Sequence, residues 1–395
     1  MRVLHVCGCY LPATEWGGVV TAVAGMAHAE RLAGIDCEIF STTQRSSKDL
    51  PPIEPGTRML DGIPVSWFQS LALGGRGFVA PGMVGALRRR LREFDLVHVH
   101  MLWTFAGVFA ARACRRQGVP YVISLHGALD PFALRQRALE KKLFLLVGER
   151  RSLERAALIR FTTEAERTSA PGWVRDLPSV VVPNPVDAPQ APDDPLNRVG
   201  SREILVLGRI HPVKGFDVLV PALLQVLTAV PQAGLNIAGP DEGGYRAHVE
   251  AMVSGHGLSG AVQFTGLLGP QERAAALSRA AMLVAPSYQE NFGMSVVEAM
   301  ASGLPVIVSD KVNLSGEIAA AGAGLVVPTE SSRLAEAIVA LLRDPGLRDR
   351  MGAAGRRLVI ERYSAVVVGA RLREAYAKLK APYPTRLSPS RTTAQ

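Results

Sequence analysis

Short runs of apolar, often β-branched residues alternate with longer helical patterns along most of the chain. Near the N-terminus, residues 2–7 predict a strand, 19–33 a helix and 37–41 the next strand, which together form a βαβ unit. Two further strands are predicted at 96–100 and 121–125. Because these strands are almost wholly apolar, both of their faces must be covered, as in a parallel sheet between two layers of helices. The pattern therefore predicts an α/β fold.

The same alternation starts again after a proline-rich interruption. Residues 183–203 carry five prolines and no hydrophobic periodicity, which is typical of a linker. Beyond it, strands are predicted at 203–208, 235–239, 262–266, 281–286, 305–309 and 324–328, and helices at 215–229, 331–343 and 364–380.

The repetition predicts two Rossmann-like, doubly wound domains that face each other across a cleft. We assign residues 1–187 to the N-terminal domain and 188–380 to the C-terminal domain, and leave open whether the last helix crosses back to the N-terminal domain. Residues 381–395, rich in Pro, Ser and Thr, are predicted to form a disordered tail. Open α/β sheets bind ligands at the carboxyl ends of their strands, so we expect the functional site in the cleft.

The net charge of +9 raises the question of a nucleic-acid partner. We do not expect one, because the sequence has no basic stripe interleaved with aromatic residues and no known nucleic-acid-binding module. The sequence also has no apolar run long enough to cross a bilayer and no signal-peptide pattern at its N-terminus. We therefore expect a cytoplasmic protein.

Two basic segments lie in the first half of the chain. One holds Arg88, Arg89, Arg90 and Arg92, and the other is 135–155, with seven Lys or Arg and three Glu. The second segment predicts one amphipathic helix that lies on an anionic bilayer, which would place the protein peripherally on the inner face of the cytoplasmic membrane. A solvated helix face on a basic protein fits the composition equally well.

The stretch GRIHPVKG, residues 208–215, follows a predicted strand and opens a helix. Backbone N–H groups at such a turn favour anions, and Arg209 and Lys214 add two cations beside it. A pyrophosphate suits this arrangement, since Arg binds in fork geometry and Lys acts as a point charge. An ordinary pair of surface cations is the alternative. The glycine and lysine order of a Walker loop is absent, and no dinucleotide fingerprint follows the first strand.

The stretch YQENFGMSVVEAMASG, residues 288–303, places Glu290 before a helix and Glu298 inside it. Eight residues of helix span at most about 12 Å, which is comparable to the reach from a ribose across a diphosphate to a sugar. Glu298 can accept both ribose hydroxyls, while Glu290 addresses the far end of the ligand. Helix N-terminal charge and an exposed helix face explain the two carboxylates equally well.

In this chain order, these features resemble one protein family. The E-x7-E spacing, the GR…KG loop and the glycine-rich loop after the first strand are similar to those of family 4 of the retaining glycosyltransferases, which have the GT-B fold. The resemblance covers residues 1 to about 380. The residues that carry it are Gly17, Gly18, Arg209, Lys214, Glu290 and Glu298.

The resemblance implies a role for each matching residue. Arg209 and Lys214 would neutralise the donor diphosphate as it leaves. Glu290 and His126 would contact the donor sugar from opposite sides, which completes the implied catalytic set. The remaining implied donor-binding residues are Gly17, Gly18, Asn291, Phe292, Gly293, Met294 and Glu298, of which Glu298 would hold the ribose. Members of the family retain the anomeric configuration and usually need no divalent metal, so no cofactor is expected.

Four other side chains near predicted strand ends are candidates for metal or acceptor binding. His98 and His100 point to one face of a strand and offer metal ligands, although a structural or cleft-lining role is favoured. Trp103 and Asp130 are candidate acceptor residues; packing of an aromatic ring and an Asp-Pro turn are their structural readings.

The sequence therefore predicts a retaining hexosyltransferase that uses a nucleotide diphosphate sugar. We expect its acceptor to be a saccharide or lipid-linked saccharide, in bacterial cell-surface or exopolysaccharide biosynthesis. Two alternatives stay open: a nucleotide-sugar 2-epimerase of the same fold, and a non-catalytic nucleotide-sugar-binding protein.

Overall fold

The computed structural model describes residues 1–46, 50–72, 78–187 and 200–379. The predicted tail at 381–395 and residues 188–199 of the predicted linker lie outside the described residues.

The N-terminal half is built on one large sheet. Its strands are β1 (Arg2–Val6), β2 (Asp36–Thr42), β3 (Gly56–Leu60), β4 (Ile63–Phe68), β7 (Leu96–His100), β8 (Tyr121–Ser124), β9 (Leu158–Phe161) and β10 (Ser179–Val181), with β5 (Leu71–Ala72) and β6 (Phe78–Val79) forming a separate pair. The spatial order is β10-β9-β8-β7-β1-β2-β4-β3, and all neighbours pair in parallel except β3 with β4. The strand order reverses between β1 and β7, which places the carboxyl ends of these two strands beside a crevice.

Helices cover both faces of this sheet. They are α1 (Gly18–Leu32), α2 (Pro81–Arg90), α3 (Phe105–Gln117), α4 (Pro131–Arg135), α5 (Ala138–Phe144), α6 (Arg150–Glu154), α7 (Glu164–Ser169) and α8 (Gly172–Arg175). Local signals fix their ends: the Thr104 side chain accepts from Gly107 N–H at the start of α3, and Gly118 ends that helix with a left-handed φ of 75°.

The C-terminal half repeats the design with a smaller, fully parallel sheet. Its strands are β11 (Glu203–Leu207), β12 (Gly234–Ala238), β13 (Val262–Gly266), β14 (Met282–Ala285), β15 (Val306–Ser309) and β16 (Gly324–Val327). Its helices are α9 (Phe216–Ala229), α10 (Tyr245–Gly255), α11 (Pro270–Arg279), α12 (Met294–Ala301), α13 (Ser315–Ala321), α14 (Ser331–Arg343), α15 (Pro345–Arg362) and α16 (Ala365–Ala377). The order β13-β12-β11-β14-β15-β16 is that of a doubly wound sheet, and it reverses between β11 and β14.

The last helix packs on the opposite half of the chain. Val368, Leu372 and Tyr376 of α16 join a buried apolar cluster with Val3 and Met26 of the N-terminal sheet layer. The helices approach so closely that a Cβ at Gly369 would overlap the carbonyl oxygen of Ala29. The last described helix, α16, therefore connects the C-terminal half of the chain to the N-terminal half.

The predicted fold class, two Rossmann-like α/β units of parallel strands, is confirmed. Each predicted strand and helix named above lies within three residues of an observed one at both ends, apart from the segment 135–155.

The prediction of one amphipathic helix over 135–155 was wrong. Gln136 is extended and ends α4, and Arg137, with a left-handed φ of 51°, precedes the next helix, which begins at Ala138. A π turn then spans Leu145–Glu149, with Gly148 at a non-helical φ of 155°. Glycine permits this kink because it has no Cβ. Among the described residues, no helix has both the length and the apolar character needed to span a bilayer.

Candidate active site

The loop after β11 lies at the reversal point of the C-terminal sheet. Gly215, with a φ of 72°, approaches Pro286 so closely that a Cβ would overlap its carbonyl oxygen. This close approach brings Lys214 beside the loop that follows β14, where its ammonium group forms an ion pair with Glu290. Arg209, from the same loop, donates to the Glu242 carboxylate at 2.5 Å.

Both predicted cations therefore face carboxylates at one strand-end crevice. The Lys214 side chain is 16% exposed and that of Glu290 is 23% exposed, so this pair is largely shielded from water. Arg209 is more open, at 41%. An incoming diphosphate would compete with these carboxylates for the same two cations, in a setting where charge–charge interactions are stronger than in bulk water.

Glu298 lies inside α12, one helix turn after its first residue, Met294. It forms an ion pair with Arg273 of α11, a partner that the sequence pattern did not indicate. Burial raises the pKa of Glu298 to about 7, and Arg273 offsets part of that rise. The carboxyl group is therefore close to its titration midpoint near neutral pH.

The residues between the two glutamates have distinct surroundings. The Asn291 amide donates to Thr162 Oγ1 at 3.0 Å, which is a contact between the two halves of the chain. The Phe292 ring is buried edge-on against Tyr363, so its backbone N–H is the group it can offer to a ligand. Gly293 has a φ of 69° and starts α12 at Met294.

The N-terminal glycines face these residues across the cleft. A Cβ at Gly17 would lie 3.5 Å from Arg209 Nε, and one at Gly18 would lie 3.1 Å from Met294 Cγ. Gly17 also has a φ of 81°, which disfavours other residues. The structure therefore brings the predicted glycine loop, the cation loop and the start of α12 together.

His126 enters the cleft from the N-terminal half, on the turn after β8. It has a left-handed φ of 51°, which is unusual for a residue with a Cβ and is a form of strain found at functional sites. The surrounding protein and then Arg160 lower the pKa of His126 to about 3, so its ring is neutral at physiological pH. A Cβ at the next residue, Gly127, would lie only 2.8 Å from Asn291 Cβ, so the turn contacts the opposite half.

A buried glutamate that the sequence analysis missed holds this turn. Glu166 accepts from Gly127 N–H at 2.5 Å through one oxygen. Its other oxygen accepts from the N–H and the hydroxyl of Thr162, at 2.6 and 2.7 Å. A T-x-x-E capping pattern before α7, with Thr163 accepting from Glu166 N–H, was the available signal in the sequence.

The two candidate acceptor residues lie next to the same turn. The Trp103 indole donates to the carbonyl of Ala128 at 3.3 Å, and its backbone N–H donates to Glu149 at 3.1 Å. Asp130 accepts from Phe132 N–H at 2.8 Å and caps the five-residue helix α4. These hydrogen bonds hold Trp103 and Asp130 in place within the protein. Acceptor binding by the two residues stays a prediction.

His98 and His100 belong to a buried histidine group with His5. Ring nitrogens of the three lie within 4.8 Å of one another, which is a spacing that a metal ion could use. However, the rings stack on each other with centroids 4.3 to 5.5 Å apart, and every nitrogen already has a hydrogen-bond partner. Metal ligands converge their lone pairs on one point, so this arrangement fits a hydrogen-bonded network better.

Two doubly wound units with facing carboxyl edges, and paired cations at the reversal point of the second sheet, define the GT-B class of glycosyltransferases. Residues 17–185 match the glycosyl transferase 4-like domain, and residues 188–358 match the family described as glycosyl transferases group 1. The chain belongs to the group 1 glycosyltransferases, enzymes that use nucleotide-sugar donors.

Known proteins similar to the chain agree with this assignment. A D-inositol 3-phosphate glycosyltransferase of Nocardia farcinica is 31% identical, over 87% of this chain and 80% of its own length. A phosphatidyl-myo-inositol mannosyltransferase of Mycobacterium leprae is 30% identical, over 91% of this chain and 92% of its own length. The crystal structure of Anabaena HepE in complex with UDP and glucose has the same fold, with a TM-score of 0.75 at 21% identity over 96% of this chain and all of that one.

Proposed function

We propose that this enzyme is a retaining hexosyltransferase whose donor diphosphate binds Arg209 and Lys214 and whose donor ribose binds Glu298. The observation that carries the proposal is the placement of Lys214 and Glu290 in contact at the reversal point of the C-terminal sheet. His126 faces them from the N-terminal half through the Gly127–Asn291 contact. A sugar attached to the diphosphate would lie between Glu290 and His126.

The chemistry follows from the charges. When the bond between the sugar and the diphosphate breaks, negative charge develops on the leaving oxygen. A guanidinium and an ammonium group stabilise that charge without a metal ion, because both are fixed before the reaction. In a front-face reaction, the acceptor oxygen bonds to the anomeric carbon on the same face from which the diphosphate leaves, and the leaving phosphate accepts the proton of the acceptor hydroxyl. Attack on that same face retains the anomeric configuration.

The acceptor that we propose is a saccharide or lipid-linked saccharide, in bacterial cell-surface or exopolysaccharide assembly. The names of the two relatives add D-inositol 3-phosphate and phosphatidyl-myo-inositol as further acceptor candidates. The Trp103 ring and Asp130 lie beside the His126 turn, where an acceptor hydroxyl would meet the sugar.

Product analysis tests this proposal. The purified enzyme would be incubated with UDP-, GDP- and ADP-sugars, with and without saccharide, lipid-linked saccharide and inositol phosphate acceptors. We expect acceptor-dependent release of nucleoside diphosphate and a product whose proton coupling constant shows the anomeric configuration of the donor. An inverted product would contradict retention, and an epimerised sugar formed without acceptor would favour the 2-epimerase.

We further propose that the N-terminal half contacts an anionic membrane. Five arginines of α2, α3 and the turn after α2 line one surface cavity of about 710 Å³, and none of the described residues that line it is acidic. They are Arg88, Arg89, Arg92, Arg112 and Arg116. Such a basic surface attracts anionic headgroups at close range.

Apolar side chains project from the neighbouring segment. Leu139 is 81% exposed and Leu146 is 85% exposed, and Leu143 and Val147 between and beside them are exposed as well. Single exposed apolar residues are common, but a cluster of them marks an interaction surface. Phe144 of this segment packs on Phe105 at the start of α3, with ring centroids 5.2 Å apart. The exposed apolar segment and the basic surface therefore both adjoin α3. Lys141 Nζ lies 5.9 Å above the Trp103 ring, so the surface adjoins the candidate acceptor residues. This position suits a lipid-linked acceptor.

Vesicle sedimentation tests the membrane contact. We expect the enzyme to sediment with phosphatidylglycerol vesicles and not with phosphatidylcholine vesicles, and to release at high salt because screening weakens charge attraction. Leu146→Asp should weaken binding severalfold, whereas Leu224→Asp, at a leucine of α9 that is 44% exposed, serves as the matched control. Equal binding to both vesicle types, or equal loss in both variants, would contradict the proposed contact.

A further inference from the structure

A buried chain of hydrogen bonds runs from His126 to the interior of the N-terminal half. His126 Nε2 lies 3.3 Å from His100 Nδ1, and His100 Nε2 lies 2.8 Å from His5 Nδ1. His5 Nε2 lies 2.7 Å from Glu30 Oε2. His5, His100 and Glu30 have no exposed surface, so water does not compete for these bonds.

A second arm reaches the same glutamate from the other side. Arg160 donates to Ser124 Oγ at 3.1 Å, and Ser124 Oγ lies 2.7 Å from His98 Nε2. His98 Nδ1 lies 2.7 Å from the hydroxyl of Tyr376, and Tyr376 donates to Glu30 Oε1 at 2.7 Å.

The direction of the second arm is fixed by chemistry. Tyr376 gives its only hydroxyl proton to Glu30, so its oxygen accepts from His98 Nδ1–H. His98 Nε2 then accepts the hydroxyl proton of Ser124. Burial lowers the pKa of His98 well below its usual value, so the ring carries one proton, on Nδ1. That proton is donated to the Tyr376 oxygen, and the Tyr376 proton points to Glu30.

The direction of the first arm follows from the charge on Glu30. As a carboxylate, Glu30 accepts from His5 Nε2–H as well as from Tyr376. His5 Nδ1 then accepts from His100 Nε2–H, and His100 Nδ1 accepts from His126 Nε2–H. The buried guanidinium of Arg160 interacts electrostatically with Tyr376, Glu166 and, less strongly, Glu30, so a positive charge lies near the Glu30 carboxylate.

We propose that Glu30, acting through His5 and His100, fixes the tautomer of His126 with the proton on Nε2 and a free lone pair on Nδ1. Among the described residues, His126 Nδ1 has no hydrogen-bond partner, so it is the acceptor that the ring presents to a ligand. In the proposed function, on which this role rests, that ligand group is a hydroxyl of the donor sugar. Glu30, His5 and His100 are positioning residues, because they act on the sugar through His126.

The opposite arrangement has a definite signature. A protonated Glu30 would donate to His5 Nε2, and each following ring would then carry its proton on Nδ1. His126 would present a donor to the ligand instead of an acceptor. The two states of the network therefore differ in one observable, the nitrogen of His126 that carries the proton.

Nitrogen NMR of the full chain labelled with ¹⁵N-histidine tests the proposal without any substrate. Comparison with a His126→Gln sample identifies the His126 signals. We expect the chemical shifts of a protonated Nε2 and an unprotonated Nδ1. A protonated Nδ1 in the wild-type protein would overturn the proposal.

Two variants test the cause. In Glu30→Gln, Tyr376 still donates to position 30, so the amide carbonyl faces Tyr376 and the NH2 group faces His5. This reverses each ring, and we expect His126 to carry its proton on Nδ1. Tyr376→Phe is the matched control, because it removes a contact to Glu30 and leaves the first arm intact; its His126 tautomer should match that of the wild type.

The outcomes separate this proposal from the proposed function. A folded Glu30→Gln protein, judged by thermal melting, with an unchanged His126 tautomer would overturn the proposal. If Glu30→Gln does not fold, the wild-type and Tyr376→Phe spectra still decide it. With the tautomer reversed, we expect kcat for transfer to fall at least about tenfold with little change in donor KM. A reversed tautomer with unchanged kcat would instead contradict the role of His126 in the proposed function.

Discussion

Each charged residue of the donor site has a partner of opposite charge in this structure. Lys214 pairs with Glu290, Arg209 with Glu242, and Glu298 with Arg273. The carboxylates therefore hold the cations in place before a diphosphate arrives, and the diphosphate has to take the place of these carboxylates on Arg209 and Lys214.

Removal of the Lys214 ammonium group tests its share of the charge stabilisation. We expect Lys214→Ala to lower kcat/KM by about 100-fold or more, because a fixed donor to the leaving group is lost. Lys378→Ala is the control, since that lysine is 72% exposed and pairs with Glu374 on α16. Steady-state kinetics of both variants measure the effect, and equal activity of the two would contradict the role of Lys214.

The raised pKa of Glu298 predicts a pH dependence. Its carboxylate form accepts ribose hydroxyls, so nucleotide affinity should be lost as the pH falls through about 7, the pKa of Glu298 before a ligand binds. Calorimetric titrations with UDP at pH 6 and pH 8 should show this loss in the wild type. Glu298→Gln does not titrate, so the difference between the variants isolates Glu298 from the titration of the nucleotide phosphate. An identical pH dependence in both proteins would refute the prediction.

The sequence supplied part of this site at the residue scale. Arg209, Lys214, Glu290 and Glu298 stand out because each lies in a short pattern at a strand end. Arg273 does not stand out, because its contact with Glu298 depends on how α11 and α12 pack. Glu242 lies 33 positions from Arg209, and no local pattern joins them.

At the scale of elements, the turn that carries His126 depends on α7. Glu166 of α7 accepts three hydrogen bonds from Thr162 and Gly127, and it is only 4% exposed. These bonds hold His126 in its left-handed conformation after the end of β8. Helix α7 therefore stabilises a strained turn that would otherwise relax.

We expect Glu166→Gln to lower the free energy of unfolding by about 1–3 kcal/mol, since its NH2 group would face a donor and leave a buried partner unsatisfied. Glu164→Gln, on the same helix, removes an exposed pair with Arg167 and should have a much smaller effect, because solvent screens that pair. Denaturant unfolding measures both. A Glu166→Gln protein as stable as Glu164→Gln would show that the turn does not need α7.

The elements also show why one helix escaped prediction. The 18-residue helix α15 has little amphipathic character and contains Gly346, Gly352 and Gly355. Gly352 and Gly355 are explained by packing: a Cβ at Gly352 would overlap the carbonyl of Gly303, and one at Gly355 would lie 3.1 Å from Met300 Cγ. Helix propensity and periodicity depend only on the local sequence, whereas the glycines of α15 are required by the packing of a neighbouring element. The parallel strands that were predicted could be recognised because both of their buried faces consist of their own apolar residues, whereas the parallel strands β4, β9 and β10 were not predicted.

At the scale of the whole molecule, α16 links the two halves of the chain. Its Gly369 lies against the Ala29 carbonyl, and its Tyr376 hydroxyl donates to Glu30 of α1. The same helix α1 begins beside the donor site, at Gly18. The packing of α16 and the geometry of the cleft are therefore mechanically connected through one helix.

We expect Gly369→Ala to lower the free energy of unfolding by about 2 kcal/mol, and with it the melting temperature. The reason is that the backbone must move to make room for the methyl group. Gly316→Ala is the matched control in a helix, since a Cβ there meets nothing within 4 Å; that variant should be neutral or slightly more stable. Scanning calorimetry compares them, and equal melting temperatures would contradict the close α1–α16 packing.

The central claim is that one end of the cleft binds a diphosphate and the other a ribose. The most direct test is calorimetric titration with a nucleoside diphosphate, its monophosphate and its 2′-deoxy analogue, using the base that raises the melting temperature most. The wild type should lose about tenfold or more in affinity for each truncated ligand, because each loses a hydrogen bond to a charged group. Lys214→Ala should reduce only the difference between diphosphate and monophosphate, because Arg209 remains, and Glu298→Gln should reduce only the difference between ribose and deoxyribose. If both variants keep both differences, the two ends of the site are not where this account places them.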